Sequence, residues 1–341
     1  MTEPYALSKI FSVNRMTRFV SRLARLRLQI NDPPYIKRSR SPESSNPTPS
    51  SNIIMSLTYT SFVVAGAGGL GALITSELLS IGGTKVTVFT RGGNSKIPSG
   101  ATERVVDYTK PDELEKALKD TGAQVVVSTL SGPGLALQIG LADAAQKAGV
   151  KLFVPSEFGS KSHEAPSLGL FDLKKNTVKH LKEIGLPYTV FYTGLFADLP
   201  LYVFPSLLNL ENRTVTVVGS GTVKLSVVTR PDIARFVAHA LTHTPHAQLE
   251  NTIIGIESEK VTWYEIAKVY EKKYGAPFEV KLRDADQVKK EVDEKGAVAF
   301  LDYILWGIEQ GYGNVGDYKK VELFPDWNPL SFEAAVQKYY P

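Results

Sequence analysis

The chain has 341 residues, of which 43% are hydrophobic, and its formal net charge is +4. That length can bury one large α/β core or a core with a small second lobe, and no apolar run approaches the roughly 18 residues of a membrane span. The absence of cysteine excludes disulfides, thiolate metal sites, iron–sulfur clusters and a cysteine nucleophile.

The charge is unevenly divided along the chain. Residues 1–57 hold nine Lys/Arg against three acids, whereas the remainder holds 30 against 32. The body is therefore slightly acidic, and no nucleic-acid partner is expected. Within the basic segment, Arg15, Arg18, Arg22 and Arg25 recur at helical spacing, with Met16, Phe19, Leu23 and Leu26 one position on. This spacing predicts an amphipathic basic helix. A Ser/Pro/Asn stretch follows from Ser41 to Asn52. Two readings stay open: a disordered extension of a cytoplasmic protein, or a transit peptide that makes the protein mitochondrial, with Glu3 counting mildly against the second. Met55 lies just upstream of the first strand, so residues 1–54 are expected to be dispensable for folding.

From Thr60 the pattern is β-α-β-α. The first strand, 61–66, runs directly into Gly66-Ala-Gly68-Gly69-Leu70-Gly71, and a helix is predicted over 70–81. Strand, GxGxxG, helix is the order a dinucleotide site needs. Gly66 allows the tight turn, Gly68 bares backbone to a pyrophosphate, and Gly71 lets the helix pack close to the strand. The phosphates are expected on the free N–H groups of Gly69, Leu70 and Gly71 at the helix N-terminus.

The second strand, 85–90, ends at Arg91, twenty residues past Gly71, where an NAD site usually carries an acid. A guanidinium there suits a 2′-phosphate, so the expected cofactor is NADP(H), with Lys96 adding charge from the following loop. Strands at 103–106, 123–129 and 151–155 alternate with helices at 111–120 and 134–149. This predicts a doubly wound, parallel α/β sheet with its ligand along the strand C-termini. Thr129 and Ser131, just before the Gly132-Pro133 break, and Ser156, after the fifth strand, are expected to face the cofactor.

The pattern loosens after Gly159. A helix at 168–185 precedes a strand at 188–192, and the run Phe191, Phe196, Leu199, Tyr202 and Phe204 reads either as core or as a wall for a flat apolar substrate. Strands at 213–218, 223–228 and 251–256, a helix at 231–243, and a helix begun by Thr262 with Glu265 as capping box complete the outline. The expected organisation is a nucleotide-binding domain at 58–192 and a smaller α/β substrate lobe at 193–341, with strand and helix exchange between them allowed. His239 and His243 lack the glutamate of HExxH, since residue 240 is alanine, so no metal is expected.

The Tyr-x-x-x-Lys pair of short-chain dehydrogenases occurs only at Tyr5/Lys9 and Tyr264/Lys268, both outside the helix after the fifth strand. That helix keeps Lys174, with Lys175 beside it, but has Leu170 in place of the tyrosine.

Val154-Pro155-Ser156-Glu157-Phe158-Gly159, a lysine thirteen residues before Pro187-Tyr188-Thr189, and Gly194-Leu195-Phe196-Ala197 together resemble the isoflavone reductase-like and NmrA-like proteins. These are atypical short-chain dehydrogenase/reductases, and Phe324-Pro325-Asp326-Trp327 is similar to the end of fungal members. In the family's GxxGxxG register the third glycine is here Ala72. The resemblance implies an NAD(P)-binding Rossmann-like fold, with Lys174 as the catalytic lysine and no tyrosine required. It implies NADP(H)-dependent hydride transfer to a small aromatic or conjugated molecule, with Lys174 moving a proton or stabilising an oxygen anion. The alternative is an NmrA-like redox-sensing regulator that binds dinucleotide without chemistry. Neither a membrane nor a nucleic-acid partner is expected, and the chain is expected to be a monomer or homodimer.

Overall fold

The computed structural model describes residues 58–93, 97–318 and 321–340. The basic segment 1–57, with its expected helix, Tyr5/Lys9 and Met55, lies outside those residues, as does Lys96. The strands β1 (Ser61–Ala65), β2 (Lys85–Thr90), β3 (Thr102–Val105), β4 (Val125–Ser128) and β5 (Leu152–Val154) form one parallel sheet in the order β3-β2-β1-β4-β5. The register sets Val63 opposite Thr87 on one side and Val126 on the other. Runs such as Val125-Val126-Val127 carry no polar alternation because both sheet faces are buried. At the edge, β3 reads Thr-Glu-Arg-Val and is exposed throughout, polar enough to discourage further pairing.

The sheet extends beyond β5. The Phe153 N–H donates to the Pro187 carbonyl at 2.8 Å, and a bridge from Phe153 to Tyr188 leads into β6 (Thr189–Tyr192). The strand β9 (Thr252–Gly255) then pairs in parallel with β6. A segment sixty residues downstream therefore returns to the nucleotide-binding layer.

The helices α1 (Gly69–Ser80), α2 (Pro111–Thr121) and α3 (Gln138–Lys147) follow β1, β3 and β4. Proline at the first position, Asp112 and Glu113 in the first turn and left-handed Gly122 at the end delimit α2. The helix expected at 134–149 begins later, because Gly132–Leu137 forms 3-10 turns. Gly132, the first residue of these turns, has a φ of 56°, outside the α-helical region, so the regular helix does not start there. Gly169 begins α4 (Leu170–Glu183). Thr229, accepting from the Asp232 N–H, caps α5 (Arg230–His243).

Ile74 and Leu78 of α1 share one core with Ile233, Ala234, Val237 and Leu241 of α5. A second core joins β7 (Thr214–Val218) and β8 (Leu225–Val228) to α6 (Trp263–Tyr274), α7 (Ala285–Lys295), α8 (Phe300–Glu309) and α9 (Phe332–Tyr339). Thr262 and Glu265 form the expected capping box at α6. Irregular spacing had left α7, α8 and α9 without individual assignments.

Candidate cofactor cleft and lysine site

At the β1–α1 turn the glycines have different reasons to be glycine. A Cβ on Gly71 would lie 2.1 Å from the Gly66 carbonyl oxygen, and one on Gly66 would lie 2.8 Å from Thr129 Oγ1. Both positions are closed by packing, and Gly66 also has a φ of 111°. A Cβ on Gly68 would meet nothing within 4 Å. Gly68 therefore faces open space at the N-cap of α1, with no side-chain cap and no acid in the first turn. The Ala72 N–H, donating to the Gly68 carbonyl at 2.8 Å, begins the helical ladder. The Gly69, Leu70 and Gly71 N–H groups remain for an anion. This cradle fits a dinucleotide pyrophosphate.

Thr129 occupies the crevice between the ends of β1 and β4, but its hydroxyl donates to the Ala65 and Gly66 carbonyls at 3.1 Å each. It braces the glycine turn from below. Ser131 is exposed at the head of the 3-10 turn and makes no capping bond with its hydroxyl. Arg91 is exposed beyond the end of β2; burial pushes the nearby Tyr108 hydroxyl up, and the Arg91 charge opposes that shift. Among the described residues no carboxylate pairs with it, so its guanidinium can take an outside anion.

Ser156 follows β5 and is half-buried; its N–H donates to Gln138 Oε1 at 2.7 Å. Gln138 is fully buried, and its amide nitrogen has no protein partner. It fixes the backbone where the fifth strand enters the cleft. Its sequence signal is a glutamine at the head of α3, before the apolar Ile139 and Leu141.

Lys174 projects from the second turn of α4 to the same edge. Its ammonium donates to the main-chain carbonyl of Glu157 and lies 3.8 Å from Glu157 Oε2. The side chains are 17% and 1% exposed. Burial pushes the Lys174 amine down, and the Glu157 charge opposes that shift. Burial pushes the Glu157 carboxyl up, opposed by Lys174 and Ser162. Lys175 turns away and donates to the Ala165 carbonyl. The geometry thus brings Lys174, rather than Lys175, to the strand ends.

Other candidates separate from this edge. Tyr264 lies on α6 and is 40% exposed. His239 stacks on His243 and on Phe324, with ring centroids 4.2 and 3.8 Å away. The aromatic run is divided: Phe191 is buried in the sheet core, whereas Tyr202 packs edge-on against Tyr340 in the second core. A depression of about 330 Å³ bordered by Leu181, Leu186, Tyr188 and Asn251 lies at the far end of α4 from Lys174.

The model of the NmrA-like family matches residues 58–333. The chain is 31% identical over 275 residues to the oxidoreductase aprR of Aspergillus flavus, covering 76% of this chain and 90% of that one. It is 28% identical over 198 residues to the isoflavone reductase of Medicago sativa, covering 55% and 60%. Among solved structures, a leucoanthocyanidin reductase–NADPH complex from Vitis vinifera superposes with a TM-score of 0.68 at 23% identity, covering 82% of this chain and 99% of that one. AtPrR2 with NADP+ and (+)pinoresinol superposes with a TM-score of 0.68 at 21% identity, covering 83% and 99%. At these identities the superpositions show a shared fold, a Rossmann-like α/β architecture.

Proposed function

The chain belongs to the NmrA-like family, and from that premise we propose that it is an NADP(H)-dependent reductase of the isoflavone reductase-like kind, acting on a small aromatic or conjugated molecule. The observation that carries this reading is one sheet edge with two features: the open N-terminus of α1 at Gly68, and the Lys174 ammonium beside Glu157. A regulator needs only the first. The oxidoreductase names of its relatives support the enzymatic reading.

When bound, the nicotinamide cofactor supplies hydride. The residues of the chain do the rest. The Gly69, Leu70 and Gly71 N–H groups bind the pyrophosphate, with Thr129 holding their turn rigid. Arg91 pairs with the 2′-phosphate. Ser131 and Ser156 orient the cofactor along the cleft. Lys174 faces the substrate oxygen, where it stabilises developing negative charge or delivers a proton at that atom.

The test is NADPH oxidation by the full chain against a panel of isoflavones, pinoresinol-type lignans and quinones, repeated with Lys174→Ala. We expect turnover to fall by about 10²–10⁴-fold, the usual contribution of a positioned proton-transfer group, with NADPH affinity retained. Undiminished turnover in Lys174→Ala would remove the lysine from the chemistry. Tight dinucleotide binding with no oxidation of NADPH across the panel would favour the regulator.

A further inference from the structure

Glu157 is unusual for a buried carboxylate. It is 1% exposed, and neither side-chain oxygen has a hydrogen-bond partner. One Lys174 N–H goes to the main-chain carbonyl of the same residue, and the ammonium stands 3.8 Å from Oε2, an ion pair beyond hydrogen-bond reach. The Ser162 hydroxyl is near enough to favour the carboxylate, yet its bonded neighbour is the Tyr192 hydroxyl, at 3.3 Å. A bare buried carboxyl is costly, so the reason Ser162 faces away matters.

The reason can be traced outward from Ser162. The Tyr192 hydroxyl lies 2.9 Å from His163 Nδ1, and His163 Nε2 lies 3.1 Å from the Tyr318 hydroxyl. Tyr318 donates to Glu164 Oε1 at 2.9 Å, while Lys161 holds Glu164 Oε2 at 2.8 Å. The Lys161 and Tyr318 bonds keep Glu164 ionised, below the usual carboxylate range despite partial burial. An ionised carboxylate only accepts, so Tyr318 must donate to it and its own oxygen must accept from His163 Nε2–H. A neutral imidazole protonated at Nε2 accepts at Nδ1, so Tyr192 donates there. The Tyr192 oxygen then accepts from Ser162. Every hydroxyl proton points outward, and none is left for Glu157.

We propose that Glu157 is a positioning residue that sets the charge of Lys174, and that the Ser162–Tyr192–His163–Tyr318 chain, polarised from Glu164, keeps the Glu157 carboxyl without a hydrogen bond. This rests on reading Lys174 as the working lysine. A carboxyl with no donor of its own is pushed by burial towards its neutral form, in which it offers Lys174 no counter-charge, so the amine stays easy to deprotonate inside the cleft. A hydrogen-bonded carboxylate would hold Lys174 as a fixed ammonium. Protonation of His163 provides the switch. With both ring nitrogens donating, Tyr192 turns its proton to Ser162 and Ser162 turns to Glu157. The charged groups acting on His163 are Glu164, which favours protonation, and Lys161, Lys175 and Lys182, which oppose it together with burial. Those acting on Glu157 are Lys174 and Ser162, and Glu157 in turn acts on the Tyr192 hydroxyl. His163 is therefore neutral near pH 7, and the site rests in its easily deprotonated form.

The experiment is a titration of the full chain labelled with 13C at lysine Cε, followed by NMR, with the Lys174 resonance assigned by its loss in Lys174→Met. Lys174 should titrate below the exposed lysines. Glu157→Gln removes the counter-charge and should lower its midpoint further. Tyr192→Phe releases Ser162 to Glu157 and should raise it, while Lys175 stays unchanged in both. Glu164→Gln, at the exposed end of the chain, lifts the polarity constraint without touching the buried cluster and should also raise it. That variant decides the matter if a buried one fails to fold. An unchanged Lys174 midpoint in the folded variants, or a shift in one common direction, would overturn the proposal. NADPH affinity measured on the same samples separates the two readings. Opposed shifts without NADPH binding would sink the reductase and leave this inference standing. NADPH binding with unmoved midpoints would do the reverse.

Discussion

At Gly71 and Gly68 a single added methyl tests two different roles of glycine in one turn. Gly71→Ala forces a Cβ to within 2.1 Å of the Gly66 carbonyl, so the turn must open. The expected cost is about 1–3 kcal/mol of stability, read by urea unfolding, together with loss of nucleotide binding. Gly68→Ala adds a methyl to open space at a φ of −73°, so stability should hold while nucleotide affinity falls. Equal stability in both variants would contradict the packing argument. The glycines, Arg91 and Lys174 were legible because each is a local signal with a fixed offset from a strand. The surroundings of Lys174 were not. Tyr318 reaches His163 from 155 residues away and Tyr192 from 29, and no periodicity encodes such convergence. Glu157 was legible as part of Pro155-Ser156-Glu157-Phe158-Gly159 after the fifth strand, but its burial beside Lys174 was not.

Among elements, α1 and α5 show how far the chain pattern reaches. The helix α1 was legible from its glycine start and apolar run, and α5 from the pattern over 231–243. Their mutual packing was not legible, because 149 residues separate the end of one from the start of the other. Leu78 of α1 is fully buried in the core shared with α5. Leu78→Ala should cost about 2–5 kcal/mol in urea unfolding, the usual range for a buried leucine whose cavity does not collapse. A cost below 1 kcal/mol would mean that α5 is not held against α1 as described. The late start of α3 carries the complementary lesson. Apolar periodicity at 134–149 predicts one helix, but its first turns, led by the left-handed Gly132, are 3-10 and the α-helix begins at Gln138.

For the whole molecule, the response to pH follows from groups buried in an uncharged state. His239, between Phe324 and His243, is pushed down to about 4 by burial and by its histidine neighbour, against the pull of Asp326. Between pH 6.5 and 4 the unfolded chain binds a proton there that the folded chain does not, so stability falls as pH drops through that window. His239→Gln should flatten this part of a stability–pH curve measured by thermal unfolding; an unaltered slope would assign the loss to other groups. Glu157 acts in the opposite sense, since its raised carboxyl holds a proton in the folded state that the unfolded chain releases as pH rises above the ordinary glutamate range. The alternating order of 58–192 made the parallel sheet legible as a whole, whereas the return of β9 and α5 depended on contacts that only the folded chain displays.

The central claim, an NADP(H) reductase cleft at the α1 end of this sheet, is tested most directly by calorimetric titration with NADPH, NADP+, NADH and NAD+. Wild type and Arg91→Ala should be measured side by side. The account predicts NADPH binding tighter than NADH by about 10- to 100-fold, a preference set by charge-assisted bonds and largely lost in Arg91→Ala. Equal affinity for the four nucleotides, or a preference for NADPH that Arg91→Ala leaves intact, would contradict it.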